Sequence, residues 1–262
     1  MTEPARVTIA IDAGIADVRL NRPAKMNALD PAMFAGLIDA IDRIGADRSV
    51  RAVVLSSEGA TFCAGLDMAS MASAGDGVDL TARTHGLAND FQQVAWGWRT
   101  LAVPVIAAVH GIAFGGGLQV ASGADMMLVH PDARLSVMEV KWGIVPDMAG
   151  FALWRGRVRD DALRELAYTA REFSGAEAVA LGFALRTADD PHAEATALAR
   201  SIAGRNPHAI RAIKRLANDA VEADAADILM EESVEQAALL RSPNQMEAVM
   251  ANMQKRAARF VD

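Results

Sequence analysis

The glycine triplet at positions 115–117 is the part of this 262-residue chain best suited to chemistry. It follows the apolar run 101–109, which is typical of a strand buried on both faces. It precedes Leu118 and Gln119, where the sequence predicts the start of a helix. Glycines at such a junction leave backbone N–H groups unblocked at the positive end of the helix dipole. The pattern therefore predicts a backbone site for an anion.

The common phosphate motifs do not fit this triplet. A P-loop requires Lys and then Ser or Thr after its last glycine, whereas Leu118 and Gln119 follow Gly117. A dinucleotide fingerprint requires a further glycine where Val120 stands. The remaining anion is an oxyanion that develops on a carbonyl during reaction. The simpler alternative is that the glycines only allow a tight turn or close packing.

A second glycine-containing loop favours the oxyanion interpretation. The strand predicted over 51–57 continues into the segment 58–67, which ends in Phe-Cys-Ala-Gly-Leu-Asp. Two loops that each follow a strand and each expose N–H groups can form one site with two donors.

The two loops resemble those of the crotonase superfamily, the enoyl-CoA hydratase/isomerase family. The resemblance rests on the segment 62–67 (FCAGLD) and on 110–117 (HGIAFGGG). Three further segments agree in order, namely 20–29 (LNRPAKMNAL), Ala124-Asp125 and 143–146 (GIVP). The resemblance runs from about residue 5 to the end of the chain.

This resemblance implies an α/β fold with a crotonase-like ββα spiral core over residues 1–190. The elements read from the sequence agree, because a hairpin is predicted over 7–20 and strand-then-helix units follow it. From about Pro191 the chain becomes alanine-rich amphipathic helix. The resemblance implies that residues 191–262 form a helical trimerisation region, in a homotrimer or a dimer of trimers. The alternative is a helical cap on the same core.

Two backbone donors follow from the resemblance. Aligned residue by residue, the N–H groups of Leu66 and Gly116 would bind the thioester carbonyl and stabilise an enolate. Hydratases of the family also carry two glutamates, and here Glu139 matches the second while Gln119 replaces the first. Glutamine can hold a water or a carbonyl, but it cannot exchange a proton at ordinary pH. A two-glutamate hydration mechanism is therefore incomplete.

Asp147 offers another carboxylate, eight residues after Glu139 and just past the Gly-x-x-Pro turn. Dienoyl-CoA isomerases of the family resemble this pair, although they also carry an aspartate at the place of Gln119. Our hypothesis is a double-bond shift, in which one carboxyl removes a proton from the acyl chain and the other returns one. The alternatives are a hydratase that uses Glu139 with water held by Gln119, a non-catalytic acyl-CoA binding protein, and Asp147 as a turn or helix cap.

The surroundings of these carboxyls are predicted to be apolar. A pocket of Met138, Trp142, Met148 and Phe151 would raise at least one carboxyl pKa by desolvation. The same residues are also ordinary core types. The segment 68–83 has no sustained apolar period and is interpreted as a mobile loop beside the site.

Coenzyme A is expected only as part of the substrate, with no separate cofactor. The resemblance places basic side chains beside its phosphates and backbone groups against its adenine. The residues implied are Arg22 and Lys25, then the backbone near Ala28, Ala64 and Asp67, and finally Lys255 with Arg256, which would reach the ligand of a neighbouring subunit.

Composition excludes several other classes. The net charge of −7 argues against nucleic-acid binding, which requires a basic surface. Cys63 is the single cysteine, so it is interpreted as a small packing residue and a reducing compartment is favoured. The histidines lack metal-ligand spacing, and no apolar segment reaches membrane-spanning length. A cytoplasmic enzyme without a metal or a membrane partner is expected.

Overall fold

A computed structural model describes residues 4–72 and 79–262 of the chain. Its main sheet contains the strands β1 (Val7–Asp12), β2 (Ile15–Leu20), β3 (Ala52–Ser57), β4 (Val105–Val109), β6 (Met126–Val129) and β9 (Arg186–Thr187). Their order in the sheet is β1-β2-β3-β4-β6-β9. A second sheet is formed by β5 (Ile112–Phe114), β7 (Arg134–Ser136) and β8 (Phe173–Ser174). The predicted α/β class is confirmed.

The main sheet is parallel apart from its first pair. The strands β1 and β2 form the predicted hairpin, with Val7 opposite Leu20 and Asp12 opposite Ile15. Its turn consists of Ala13 and Gly14, both at positive φ (48° and 79°). From β2 onward each neighbouring pair is parallel. The carboxyl ends of β3 and β4 therefore lie at one edge of the sheet, where the two glycine-containing loops begin.

Helices cover the sheets. Those before residue 190 are α1 (Pro31–Ala46), α2 (Met68–Ala72), α3 (Asp90–Thr100), α4 (Gly116–Ser122), α5 (Gly150–Trp154), α6 (Asp160–Thr169) and α7 (Gly175–Leu181). In α1, Asp30 accepts a hydrogen bond from the N–H of Met33, and Pro31 occupies the first turn. Its apolar stripe, including Leu37 and Ile41, is buried against the core as predicted.

The interpretation of 68–83 as a loop is wrong at its start. Asp67 accepts a hydrogen bond from the N–H of Ser70, which is the capping contact that begins a helix. This cap explains why α2 forms although its residues show no long apolar period. Residues 73–78 lie outside the described residues.

The C-terminal helices are α8 (Pro191–Ala203), α9 (Pro207–Asp219), α10 (Ala225–Leu239) and α11 (Pro243–Met253). Three small residues of α8 pack on the main sheet, namely Ala195, Ala199 and Ala203. In contrast, α10 buries none of its residues. The start of α8 coincides with the predicted boundary at 190, but its packing joins it to the core. Within the described ranges, no helix is long and apolar enough to cross a membrane.

A buried cation fastens α9 to the core. The ammonium of Lys214 donates to the carbonyls of Trp98 and Val103 at 3.0 and 2.9 Å, and to the carboxylate of Asp125 at 2.8 Å. Burial lowers the pKa of Lys214, and Asp125 opposes this effect. All three donors of the ammonium are thus satisfied by the elements that α9 covers.

We predict that Lys214→Ala lowers the free energy of unfolding by about 3 kcal/mol, because it leaves two carbonyls without their donor and the partly buried carboxylate of Asp125 with only the N–H of Val105. Urea unfolding at a fixed protein concentration measures this loss. Arg43→Ala is the control, since Arg43 is 64% exposed and only weakly paired with Asp39. Equal stability losses in the two variants would contradict the role given to Lys214.

Candidate active site

The two glycine-containing loops run side by side beyond β3 and β4. The Phe62 N–H donates to the carbonyl of His110, and the Cys63 N–H donates to Ile112. The Phe114 N–H donates back to the carbonyl of Cys63. These bonds extend the pairing of the parallel strands into the loops. The site therefore lies at the carboxyl edge of the sheet, the usual place for ligands in parallel sheets.

The amide of Leu66 is turned away from its neighbouring backbone. Leu29 and Leu66 form a parallel bridge, in which the Leu29 N–H donates to Gly65 and the Asp67 N–H donates to the carbonyl of Leu29. Gly65 and Asp67 both bond to Leu29, so the N–H of Leu66, which lies between them, points away from Leu29. Among residues 4–72 and 79–262, the Leu66 N–H has no acceptor.

The amide of Gly116 lies in the other loop, beside the loop that carries Leu66. Gly116 is the first residue of α4, so its N–H has no partner within the helix, and the structure gives this N–H no acceptor elsewhere in the part of the chain it describes. A side chain at Gly65 would place its Cβ 3.8 Å from the Gly116 nitrogen, so the loops are in close contact. Leu66 and Gly116 both line a cavity of about 90 Å³.

The glycine triplet is also required by packing. Gly115 adopts φ 49°, which disfavours a side chain. A Cβ on Gly116 would lie 2.8 Å from Met148 Sδ, and one on Gly117 would lie 2.5 Å from the carbonyl oxygen of Cys63. The close packing of the triplet is therefore observed, and it brings the Gly116 amide to the cavity, while the oxyanion role stays a prediction.

Glu139 places a single buried carboxyl in this cavity. The residue is 7% exposed and begins a short 3-10 helix, Glu139–Trp142. Its Oε1 accepts a hydrogen bond of 2.6 Å from Gln119 Nε2, whereas its buried Oε2 has no partner in the described parts of the chain. Burial raises the pKa of Glu139 above its ordinary value, hydrogen bonds oppose the rise, and the charge of Asp147 adds to it.

Gln119 is a bridge between Glu139 and the backbone. Its Oε1 accepts hydrogen bonds from the N–H groups of Met148 and Gly150, both at 2.9 Å. Since a backbone N–H can only donate, these bonds fix the orientation of the amide and direct Nε2 to Glu139. Both lone pairs of the Gln119 oxygen are thus occupied. This arrangement leaves no acceptor with which that oxygen could hold a water.

Asp147 lies beside the cavity rather than in its wall. It is close enough for its charge to raise the pKa of Glu139, yet it does not line the cavity. Neighbouring atoms still desolvate its carboxyl and raise the pKa of Asp147. The alternative role as a helix cap is not realised, because α5 receives no side-chain cap.

The apolar wall differs in part from the predicted one. Met138 and Trp142 line the cavity, as expected. Met148 is buried behind Gly116, and Phe151 is half exposed against Trp154, with ring centroids 6.1 Å apart. The sequence interpretation missed three lining residues: Met68, Phe114 and Ile144. Phe114 could have been found, since it lies inside the quoted glycine motif.

The residues expected near coenzyme A form a cluster around Arg22. The Arg22 guanidinium donates to the carboxylate of Asp67 at 2.7 Å and to the carbonyl of Ala28 at 3.2 Å. Asp30 also pairs with it at 3.3 Å. The hydrogen bond from Arg22 lowers the pKa of Asp67. Arg22 is therefore already paired with two carboxylates, of which Asp30 is shared with Arg6 at 3.0 Å.

Of the other residues expected to contact coenzyme A, Lys25 is free to bind a ligand, whereas the N–H of Ala64 is not. Lys25 is exposed, and the described residues give its ammonium no partner. The Ala64 N–H is occupied by the carbonyl of Met26. Both residues lie in or next to the loops that form the site.

The predicted C-terminal basic pair lies elsewhere in the single chain. Arg256 pairs with Glu247, and Lys255 is exposed at φ 51°. The residues that follow contact Arg51, at the amino end of β3. That edge of the sheet is opposite the glycine-containing loops. A contact of Lys255 with a neighbouring subunit's ligand stays a prediction.

Cys63 is fully buried between the two loops. Its Sγ donates to the carbonyl of Asn27 at 3.1 Å, and burial raises the pKa of the thiol to about 12. This geometry agrees with the packing role inferred from the sequence.

Comparison with known proteins gives consistent results. The family model for enoyl-CoA hydratase/isomerase matches residues 10–262. A probable enoyl-CoA hydratase of Mycobacterium leprae is 31% identical over 97% of each chain. The peroxisomal Delta(3,5)-Delta(2,4)-dienoyl-CoA isomerase of Arabidopsis thaliana is 30% identical over 95% of this chain and 93% of its own. The crystal structure of an enoyl-CoA hydratase of Mycobacterium smegmatis superposes with a TM-score of 0.85, at 30% identity, over 98% of this chain and 99% of its own.

We predict that Gly117→Ala lowers the free energy of unfolding by about 1–3 kcal/mol or more, because its Cβ would meet the backbone of the other loop. Gly45→Ala is the matched control. Gly45 lies in α1, where a Cβ would make only an ordinary contact at 3.5 Å with Leu101, so alanine there leaves stability unchanged or raises it by about 0.5 kcal/mol. Urea unfolding of both variants checks the difference, and a harmless Gly117→Ala would contradict the close packing of the loops.

Proposed function

The chain belongs to the enoyl-CoA hydratase/isomerase family, and on that premise we propose that it shifts a carbon–carbon double bond in an enoyl- or dienoyl-CoA thioester. The observation that carries this proposal is the pairing of Glu139 with Gln119. The cavity offers one carboxyl with a free oxygen, and the neighbouring position supplies an amide that cannot transfer protons. A reaction that removes a proton and returns it fits these groups.

The backbone would stabilise the intermediate. When a proton leaves the acyl chain, negative charge moves onto the thioester oxygen. The N–H groups of Leu66 and Gly116 line the cavity without acceptors in the described ranges, so they would donate to that oxygen. Such pre-oriented donors act strongly in a site that excludes water. Substituting the side chain of Leu66 would spare this donor, whereas any side chain at Gly116 would crowd Met148.

The free Oε2 of Glu139 would remove the proton. Its raised pKa makes the carboxylate a stronger base than an exposed glutamate, and it keeps the resulting acid able to hold the proton. Asp147 lies nearby with a raised pKa of its own, so its protonated form would return a proton at the other end of the shifted double bond. Glu139 would then release its proton to solvent and Asp147 would take one up, which restores the starting state. Hydration would instead require a group that activates water, and the Gln119 oxygen is occupied by two backbone amides.

The substrate's coenzyme A would lie along the loop from Arg22 to Ala28. Lys25 is the cation of that segment that keeps its charge available, while Arg22 is neutralised by Asp67 and Asp30. We therefore expect Lys25, rather than Arg22, to contact a phosphate. Arg22 would act indirectly by holding the loop.

We also propose that the chain forms homotrimers or dimers of trimers. The helix α10 exposes Leu229 (63%), Met230 (64%) and Val234 (52%). Apolar side chains exposed along a helix that packs mainly on α9 indicate a face for another subunit.

The first test offers crotonyl-CoA and a 3,5-dienoyl-CoA side by side and follows conjugated absorbance. We predict isomerisation without comparable hydration. Glu139→Gln should reduce kcat by about 10²–10⁴-fold, because the amide keeps the shape of the side chain but cannot carry a proton. Hydration that exceeds isomerisation would replace this proposal by a hydratase, and tight thioester binding without turnover would indicate a binding protein.

A second test uses pH. Because burial raises the pKa of Glu139 above its ordinary value of 4.5, kcat/KM should fall on the acid side with a midpoint above that value. Asp147→Asn removes a nearby negative charge, so the midpoint should move to lower pH. A large loss of kcat in the same variant would show that Asp147 carries a proton itself.

The control for this pH profile is Asp39→Asn, since Asp39 is 65% exposed on α1. It should leave the acid limb in place. An Asp147→Asn profile identical to the original in both midpoint and height would remove Asp147 from the mechanism.

A further inference from the structure

A second cavity lies at the opposite edge of the main sheet. It has a volume of about 1030 Å³ and is bounded by the end of α3, the turn after α5 and the last half of α9. Leu101 and Ala102, which lead into the amino end of β4, form part of its wall. It shares no lining residue with the cavity of Glu139. The proposed reaction makes no use of it.

The charge of this cavity contrasts with that of the chain. The whole chain carries a net charge of −7, yet the cavity wall has six basic side chains and two carboxylates. The basic residues are Arg99, Arg155, Arg157, Arg211, Lys214 and Arg215, and the acidic residues are Asp219 and Glu222. We call it the arginine cavity.

Half of these cations are paired with carboxylates. Arg155 pairs with Glu222 and Arg215 pairs with Glu235. Lys214 uses all three of its donors within the core, including one to Asp125. The charges of these three residues are therefore paired within the chain.

The other three guanidinium groups have no carboxylate partner in the described parts of the chain. Arg157 donates only to backbone carbonyls, at Ser122, Ala124 and Asp125. Arg211 likewise donates only to the backbone, at Arg48 and Val50. Neither group therefore forms an ion pair with a carboxylate in the described parts of the chain, although the charge of Asp125 acts on Arg157 from a distance.

Arg99 has the fewest partners of the three arginines. Its guanidinium makes no hydrogen bond or ion pair with any residue in 4–72 or 79–262. Burial lowers the pKa of Arg157, the charge of Arg99 lowers it further, and the charge of Asp125 opposes both effects. Like charges are thus held close together at the wall of a large cavity, an arrangement that a bound anion would relieve.

We propose that the arginine cavity binds a small phosphorylated anion. Guanidinium groups bind phosphate oxygens in bidentate pairs, and Arg99, Arg157 and Arg211 all keep N–H donors free for such bonds. The apolar side chains of Trp96, Leu153 and Val221 in the same wall would contact the organic part of the ligand. The site is separate from the one expected for the phosphates of coenzyme A, which lies by Lys25 at the other edge of the sheet.

Isothermal titration of the full chain with pyrophosphate, at constant ionic strength, tests the proposal. One site that depends on Arg99 is expected for each chain, with inorganic phosphate binding more weakly. Arg99→Gln should weaken pyrophosphate binding by about tenfold or more, since it removes charged hydrogen bonds. Arg211→Gln should act in the same direction. Because the Arg99 side chain makes no bond within the described chain, its variant should fold normally, and urea unfolding verifies this.

Two control variants distinguish the arginine cavity from the rest of the surface and from the coenzyme A site. Arg43→Gln, on the exposed face of α1, should leave pyrophosphate binding unchanged. Lys25→Gln should leave the binding that depends on Arg99 unchanged, whatever pyrophosphate also binds at the coenzyme A site. If Lys25→Gln abolishes binding while Arg99→Gln does not, the ligand occupies the coenzyme A site and the proposal is wrong.

Two further outcomes would overturn the proposal. Binding no stronger than that of chloride at equal ionic strength would mean that the cavity has no anion site. If no pyrophosphate binds and Arg99→Glu dissociates the assembled protein on size-exclusion chromatography, the carboxylates of a second copy fill the cavity instead.

Discussion

The three hydrogen bonds of the Gln119 amide hold the candidate site in one geometry. The amide oxygen fixes the backbone at Met148 and Gly150, and the amide nitrogen fixes Glu139. Gln119 itself is anchored in α4, directly after the glycine triplet. The position of the carboxyl, the course of the chain beyond it and the amides of the first helical turn are therefore set together. A buried network of this kind holds its members rigidly through the hydrogen bonds that it makes.

The one atom of that network without a partner in the described ranges is Glu139 Oε2. An unpaired buried oxygen is unfavourable for folding, so the fold must hold it in place by other means. The close packing of the loops supplies them, because Gly117 lies against the backbone of Cys63 and Gly116 against Met148. Together these contacts bring the Glu139 carboxyl and the N–H groups of Leu66 and Gly116 to the same small cavity.

Much of this arrangement could be predicted from the sequence. The hairpin, α1 and the loop glycines have local signals, and the spacing of the motifs located Leu66, Gly116 and Glu139 correctly around one cavity. Other parts depend on contacts that spacing does not reveal. The partners of Gln119 are backbone N–H groups about 30 residues away, at Met148 and Gly150. The short helix α2 arises from a single capping contact of Asp67. The cations of the arginine cavity come from three separate parts of the chain, namely Arg99, the segment 155–157 and the segment 211–215, and the spacing of these parts does not show that they meet.

The amide at position 119 also determines how Glu139 titrates. A glutamate there would place two carboxyls about as close as the 2.6 Å bond that now joins Gln119 and Glu139, and such a pair shares one proton and titrates as a unit. Glutamine keeps the hydrogen bond and removes the second charge, so Glu139 interacts only with the more distant Asp147. With its pKa raised, Glu139 can take a proton, and with Asp147 returning one this supplies what the proposed double-bond shift requires. Adding water across a double bond requires one group to activate the water while another supplies the proton, and the amide cannot take either part.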